Sequence, residues 1–272
     1  MKTILITGAS GGLGKFTSKY FADKGWNVIA TMISIDLAVD LLDYPNIKCY
    51  ELDVTSSESI LLAKEEILKE FKTIDVIINN AGLGYRSFVE LSEDSKIETI
   101  VDVNLIGVIK VCRAFIPVFR QQNSGMFINI SSVARLVNLP LGNFYHATKR
   151  AVESFSECMS YELLDFNIGV CTVQFGNAPT DFQKNVSQCV VTKITSYEEM
   201  MCTINSILKN KTSKNKDLTL KIVEKLFDIA NNPKNSFRRY TIGFDANFMR
   251  YLRKFLGYRL FNRVIKRMVL KK

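Results

Sequence analysis

A doubly wound parallel α/β sheet of about seven strands, with helices on both faces, is the fold this 272-residue chain predicts. Two observations carry the prediction. Short β-branched runs alternate with helical stretches, and the runs are apolar on both faces, as strands covered on both sides must be. A third observation places a ligand: a glycine-rich loop joins the first strand to the first helix.

The elements follow in order. Thr3–Thr7 is a strand, and Leu13–Lys24 a helix. Asn27–Met32 and Ile47–Val54 are the next strands. Ser56–Phe71 opens on serines suited to an N-cap and continues with apolar residues at helical spacing. Ile74–Asn80 is a near-continuous apolar strand. Ser92–Gln122 reads as one long helix or two, with Pro117 as the candidate kink. Met126–Ser132 is a strand, Phe144–Phe166 a helix, Ile168–Phe175 a strand, and Arg239–Gly243 the last strand. The polar run Lys209–Asp217 reads as an exposed loop between two helices. No linker divides the first 174 residues and no repeat of fixed period occurs. One domain over residues 1–245, with a substrate-covering segment at about 181–235, and a basic amphipathic tail over 246–272 is the expected organisation.

The charge is distributed the same way. The net charge is +9, with 36 basic and 27 acidic residues. Nine basic residues and no acid lie between Ala246 and Lys272, so residues 1–245 are neutral. A neutral body argues against nucleic acid as partner, because phosphate binding needs a basic recognising surface. In the tail, Phe261, Val264, Ile265 and Met268 form a stripe at helical spacing, with Gly257 separating them from Phe248–Leu256. Such a helix docks on the body, lies on an anionic membrane, or rims a pocket for an acidic or lipid-like substrate.

No apolar run reaches the roughly 18 residues needed to span a bilayer. The first strand follows Met1 directly, leaving no room for a signal peptide's apolar core. A cytoplasmic location, with membrane-peripheral contact through the tail as the alternative, is expected. The six cysteines lack C-x-x-C spacing and the chain has one histidine, so no metal site is expected and buried free thiols are.

Thr7–Gly14 reads T-G-A-S-G-G-L-G. Glycines there permit a tight turn and let backbone N–H groups and a helix N-terminus approach a pyrophosphate. The end of the second strand, Ala30-Thr31-Met32-Ile33-Ser34, offers neither an acid for a ribose 2′-hydroxyl nor an Arg for a 2′-phosphate. Lys15 or a serine could serve the latter, and the balance leans to NADP over NAD. Tyr145 and Lys149 are four apart on a helix, hence on one face. A neighbouring ammonium would draw the phenol's pKa down from about 10, as a general acid/base for a carbinol–carbonyl pair requires. His146, one position on, is expected to point elsewhere, at a surface or interface.

Four motifs thus stand in order: Thr7–Gly14, Asn79-Asn80-Ala81-Gly82, Asn129-Ile130-Ser131-Ser132 and Tyr145…Lys149. In them the chain resembles the classical short-chain dehydrogenase/reductase family, over about Met1–Phe182. The resemblance implies a Rossmann-type fold and an NAD(P)-dependent oxidoreductase interconverting hydroxyl and carbonyl on a small or lipid-like substrate. It implies Tyr145 as acid/base, Lys149 as its electrostatic partner and ribose ligand, Ser132 (in preference to Ser131) as holder of the substrate oxygen, and Asn104 as anchor of a proton relay. Cofactor contacts would fall on Gly8, Ser10, Gly12, Leu13, Gly14, Asp53, Val54, Asn80, Ala81, Gly82, Tyr145, Lys149 and Thr180. It also implies a homodimer or homotetramer through the helices around Ser92–Gln122 and Phe144–Phe166. One departure stands out: Phe175 replaces the family's usual proline before Gly176, which would loosen the loop. That departure and the basic tail motivate the competing reading, a non-catalytic dinucleotide-binding regulator or membrane-associated scaffold.

Overall fold

The computed structural model describes residues 1–176, 178–179, 182, 186–188, 193–212 and 217–270. Seven parallel strands form one sheet: β1 (Thr3–Thr7), β2 (Asn27–Met32), β3 (Ile47–Glu51), β4 (Val76–Asn79), β6 (Gly125–Ile130), β7 (Ile168–Phe175) and β9 (Arg238–Ile242). Their spatial order is β3-β2-β1-β4-β6-β7-β9. The order reverses direction at β1, between β2 and β4, and such a switch point opens a crevice at the strands' C-terminal ends. A separate two-stranded ribbon pairs β5 (Tyr85–Arg86) with β8 (Ser187–Gln188).

Alternation along each strand sends neighbouring side chains to opposite faces. Ile4, Ile6, Val76, Ile78, Met126 and Ile128 join Phe21, Trp26, Leu226 and Ile229 on one face. There α1 (Gly12–Asp23) and α7 (Leu218–Asn231) cover the sheet. Leu5, Ile77 and Phe127 face the other way, onto Ile60, Ile67, Val111, Phe115, Val152 and Met159. Those residues belong to α2 (Ser57–Glu70), α4 (Gly107–Gln122) and α5 (Asn143–Glu162). Both-sided burial is why these strands read as continuous apolar runs. Ser56 caps α2 as expected, its side chain accepting from the Ser59 N–H at 3.2 Å.

Three expectations are corrected. The long helix around residue 100 breaks not at Pro117 but at a π turn, Asp102–Ile106, between α3 (Asp94–Val101) and α4. Helix α4 runs on through Pro117. The polar run at 209–217 is not all loop: α6 (Thr195–Thr212) takes in its first part, and residues 213–216 lie outside those described. Of the described cysteines, all free, Cys112 and Cys171 are buried, but Cys158 and Cys202 are exposed.

The tail is helical from Phe244 to Leu270, as α8, with Gly257 at φ 63°, ψ −178° dividing it into two arms. Phe261 and Ile265 are buried against Phe88, Leu136, Val137, Leu141 and Ile204. The stripe read from the sequence therefore docks on the body. Val264, included in that stripe, stays 44% exposed. No helix among the described residues is long and apolar enough to cross a membrane.

Candidate active site

A cavity of about 790 Å³ runs along the C-terminal ends of the central strands. Its nucleotide end is made of backbone. Gly8 and Gly12 take φ of +65° and +49°, a region costly for any residue with a Cβ. A Cβ on Gly14 would sit 2.3 Å from the Gly8 carbonyl oxygen, and one on Gly8 would sit 2.9 Å from the Ala81 Cα. The loop is held against the next motif by hydrogen bonds. Asn80 Nδ2 donates to the carbonyls of Thr7 (2.9 Å) and Gly8 (3.2 Å). The N–H groups of Asn80 and Ala81 both donate to Thr7 Oγ1 at 3.0 Å. Helix α1 begins here with no side-chain cap at Gly11, so its first-turn N–H groups are left for a ligand.

Gly8, Ser10, Gly12, Leu13, Asp53, Val54, Asn80, Ala81, Gly82, Ser132, Tyr145 and Lys149 all border the cavity. Gly14 and Asn104 stand behind it. Gly14 permits the close approach of α1 to the loop. Buried Asn104, inside the π turn, donates to the Leu83 carbonyl at 2.9 Å and accepts from the Leu83 N–H at 2.7 Å. It also donates to Thr148 Oγ1 at 3.3 Å, so it fixes the 82–83 turn to α5. Thr180 lies outside the described residues. Asp53 Oδ1 accepts from the N–H and hydroxyl of Thr55, both at 2.8 Å, which shapes the turn after β3. Lys15, a candidate for a 2′-phosphate, instead pairs with Asp40 at 2.8 Å, as does Lys19 at 2.7 Å. Those two ammonium groups hold the Asp40 carboxyl down at about 2.

At the centre, Ser132 caps a short 3₁₀ turn, its Oγ accepting from the Ala134 N–H at 3.1 Å. Tyr145 faces it from the start of α5. Desolvation raises the Tyr145 pKa, and hydrogen bonding with Ser132 opposes the rise. The expected depression by Lys149 is therefore absent. Lys149 is itself desolvated and pulled down to about 8, with Glu153 opposing. Its ammonium donates to the Ile130 carbonyl at 2.9 Å and lies 5.9 Å from the centre of the Tyr145 ring. A Cβ on neighbouring Gly82 would lie 3.7 Å from Nζ, an ordinary contact, and 3.3 Å from Asn104 Oδ1, a tighter one. His146 is not a surface residue: it borders the cavity, and its Nδ1 lies 2.8 Å from the Ala134 carbonyl. Burial lowers its pKa. Phe175 borders the cavity while packing against the core below.

Sequence reasoning missed Glu153, one helical turn beyond Lys149. It is 4% exposed and accepts from Thr172 Oγ1 (3.0 Å), Gln174 Nε2 (2.7 Å) and Arg239 Nε (2.9 Å). This network ties α5 to β7 and β9. A glutamate at i+4 from the lysine was the available signal, but its partners are up to 86 residues away. Also missed was the substrate end, where Val137, Leu141, Phe182, Ile204 and Met249 converge from separate segments, with Arg86 on the same border.

The residues fit a dinucleotide. A glycine cradle in which a Cβ on Gly8 or Gly14 would clash and an uncapped helix N-terminus meet at one cavity. Buried Ser131 Oγ, on its border, has no hydrogen-bond partner among the described residues. The short-chain dehydrogenase family model matches residues 2–190, and the chain belongs to that family, with its NAD(P)-binding Rossmann-type fold. A 3-ketodihydrosphingosine reductase of Bacteroides thetaiotaomicron is 37% identical over 67% of this chain and 66% of its own length. An NADP-dependent 3-hydroxy acid dehydrogenase of Schizosaccharomyces pombe is 34% identical over 66% of this chain and 73% of its own. The chain thus spans just under two thirds of the first of these relatives. A short-chain dehydrogenase of Streptomyces avermitilis has the same fold, with TM-score 0.82 and 25% identity, covering 94% of this chain and 95% of that one.

Proposed function

We propose that the protein is an NAD(P)-dependent oxidoreductase interconverting a carbonyl and a hydroxyl group, with Tyr145 as the acid/base. The observation that carries this reading is the meeting of Ser132, Tyr145 and Lys149 at the centre of a cavity whose other end is a glycine cradle. A bound nicotinamide would supply the hydride, which is the cofactor's own chemistry. Gly8, Ser10, Gly12 and Leu13 would bind its pyrophosphate region, Asp53 and Val54 its adenine, and Lys149 the ribose. Ser132 would hold the substrate oxygen by a hydrogen bond. Tyr145 would pass its phenolic proton to that oxygen during reduction. A phenol with a raised pKa keeps its proton at neutral pH, and an ammonium titrating near 8 is mostly charged there. A protonated phenol is the form that can donate a proton to a carbonyl oxygen. Asn104 would act at one remove, positioning the 82–83 turn and α5.

NADP is the favoured cofactor, with NAD as the alternative. Met32, Ile33 and Leu37 border the adenosine end, and none of them carries a charge that would repel a 2′-phosphate. The name of the fission-yeast relative points the same way. The substrate end is largely apolar, which suits a small or lipid-like carbonyl compound. We place the activity in the body, residues 1–245, assembled as a homodimer or homotetramer through α4 and α5 in the cytoplasm.

Purified protein with NADPH or NADH and a panel of ketones tests the reading through the absorbance of the reduced nicotinamide. Oxidation with a ketone and tighter binding of NADPH than NADH are expected. Absence of both turnover and dinucleotide binding would refute it. Binding without turnover on any ketone would favour the regulator reading, for which Phe175 in place of proline is the motivating residue.

A further inference from the structure

Among the described residues, the outward side of the first arm of α8 is an unpartnered apolar surface. Phe244, Phe248, Tyr251 and Phe255 recur at spacings of four, three and four, which sets them along one side of the first arm. They are 81%, 50%, 60% and 92% exposed. Large aromatics gathered in the open mark an interaction site rather than ordinary surface. Docking to the body does not account for them. Met249, Leu252 and Leu256, on the inward side, already pack against the Phe88–Leu136–Phe261 cluster. Gly257 then lets the second arm dock separately through Phe261 and Ile265. Each arm therefore has one side spent on the body and one outward side, aromatic in the first and basic in the second.

Charge selects the occupant. Between residues 246 and 272 there are nine basic residues and no acid, and Lys254, Arg259, Arg263, Lys266 and Arg267 are exposed. A second copy meeting this face would set cations against cations, which opposes pairing. An anionic bilayer supplies both complements: negative head groups for the basic arm, and an interfacial layer where aromatic rings are at home. Arg250 already lies on the Tyr251 ring, 4.8 Å from its centre, so its charge need not separate from the aromatic stripe.

We propose that α8 is a membrane-docking helix. The Phe244–Phe248–Tyr251–Phe255 stripe enters the head-group layer of an anionic bilayer while the exposed basic residues of the second arm hold the lipid charge. Because Met249 of the same arm borders the cavity, docking would bring one wall of the cavity to the lipid surface. This surface stands whether or not the cavity is catalytic.

Co-sedimentation of the full chain with phosphatidylcholine vesicles, with and without phosphatidylserine, tests it. Pelleting is expected only with phosphatidylserine. Phe248→Ser/Phe255→Ser should cut the partition coefficient about tenfold or more, and Arg259→Gln/Arg263→Gln/Lys266→Gln/Arg267→Gln by a similar factor. Unchanged melting temperatures would certify both variants as folded. Phe255→Ser alone, at the most exposed position of the stripe, should still lower partitioning measurably. The proposal is overturned if the wild type stays in the supernatant with phosphatidylserine, or if the Phe variants pellet as fully as wild type. It is also overturned if the double Phe variant only converts a dimer to a monomer in size exclusion, which would give the face to a second copy.

Discussion

The two ends of the cavity are built from different material. At the nucleotide end, backbone does the work: glycines at positive φ, a carbonyl packed on a helix, and Asn80 and Thr7 tying two loops together. At the substrate end the walls are side chains, Val137, Leu141, Phe182, Ile204 and Met249, brought from segments far apart in the chain. Gly8 and Gly14 leave no room for a Cβ, whereas an apolar wall can exchange one side chain for another at modest cost. A rigid cradle and an adjustable wall thus share one cavity, with Tyr145 at the seam.

The seam carries the largest expected effect. Tyr145→Phe removes the hydroxyl proposed as the acid/base, so turnover should fall about 10²–10⁴-fold. Dinucleotide affinity, measured by fluorescence titration, should hold. A variant as active as wild type would detach Tyr145 from the chemistry.

Next comes the cradle itself. Gly14→Ala drives a Cβ to 2.3 Å from the Gly8 carbonyl oxygen, and backbone must move to relieve it. A loss of about 3 kcal/mol, or roughly 8 °C in melting temperature, is expected. Gly176→Ala, on the cavity border and with nothing within 4 Å of its Cβ, should melt within about 1 °C of wild type. Equal effects at the two glycines would break the distinction between a cradle and a wall.

Lys149→Met probes the charge between the ends. The folded-state pKa of about 8 lies below the ordinary 10.5, so the folded chain gives up this proton before the unfolded chain does. Burying the ammonium therefore costs stability below pH 8, and the cost shrinks as pH rises from 8 to 10.5. Lys149→Met should abolish activity yet stabilise the fold by about 1–2 kcal/mol at neutral pH, after the lost hydrogen bond to Ile130 is counted. Denaturant titrations across that range should show the advantage fading with pH. In the wild type, activity that needs the ammonium should decline as pH rises through 8.

The smallest effect belongs to the wall. Met249→Ala should shift KM for an apolar substrate by about threefold to tenfold with little change in kcat, since it removes contact area and no reacting group.

The same division explains what could be read in advance. The central strands were legible because burial on both faces leaves continuous apolar runs, which the edge strands β3 and β9, with exposed charged residues, do not show; the cradle was legible because Gly8 and Gly14 leave no room for a Cβ. Tyr145 and Lys149 were legible because helical periodicity alone puts them on one face. The π turn was not, for nothing in Asp102–Ile106 marks the extra residue. Nor was β5–β8, two residues paired with two others about a hundred positions on. The tail shows the limit most clearly. Its apolar stripe at Phe261 was visible, but the aromatic stripe before Gly257 went unread, and which of the two would meet the body depended on Leu136, Val137 and Ile204.

Sequence alone determined the parallel sheet, the glycine cradle, the Tyr145–Lys149 spacing and the confinement of the net positive charge to the last 27 residues, because each follows from local pattern or composition. Tertiary structure decided the rest. It raised the Tyr145 pKa, lowered that of Lys149, surrounded Glu153 with partners from β7 and β9, and turned four aromatics of α8 outward. Desolvation is the common reason: how far a group is removed from water depends on everything packed around it, and no stretch of neighbouring residues encodes that.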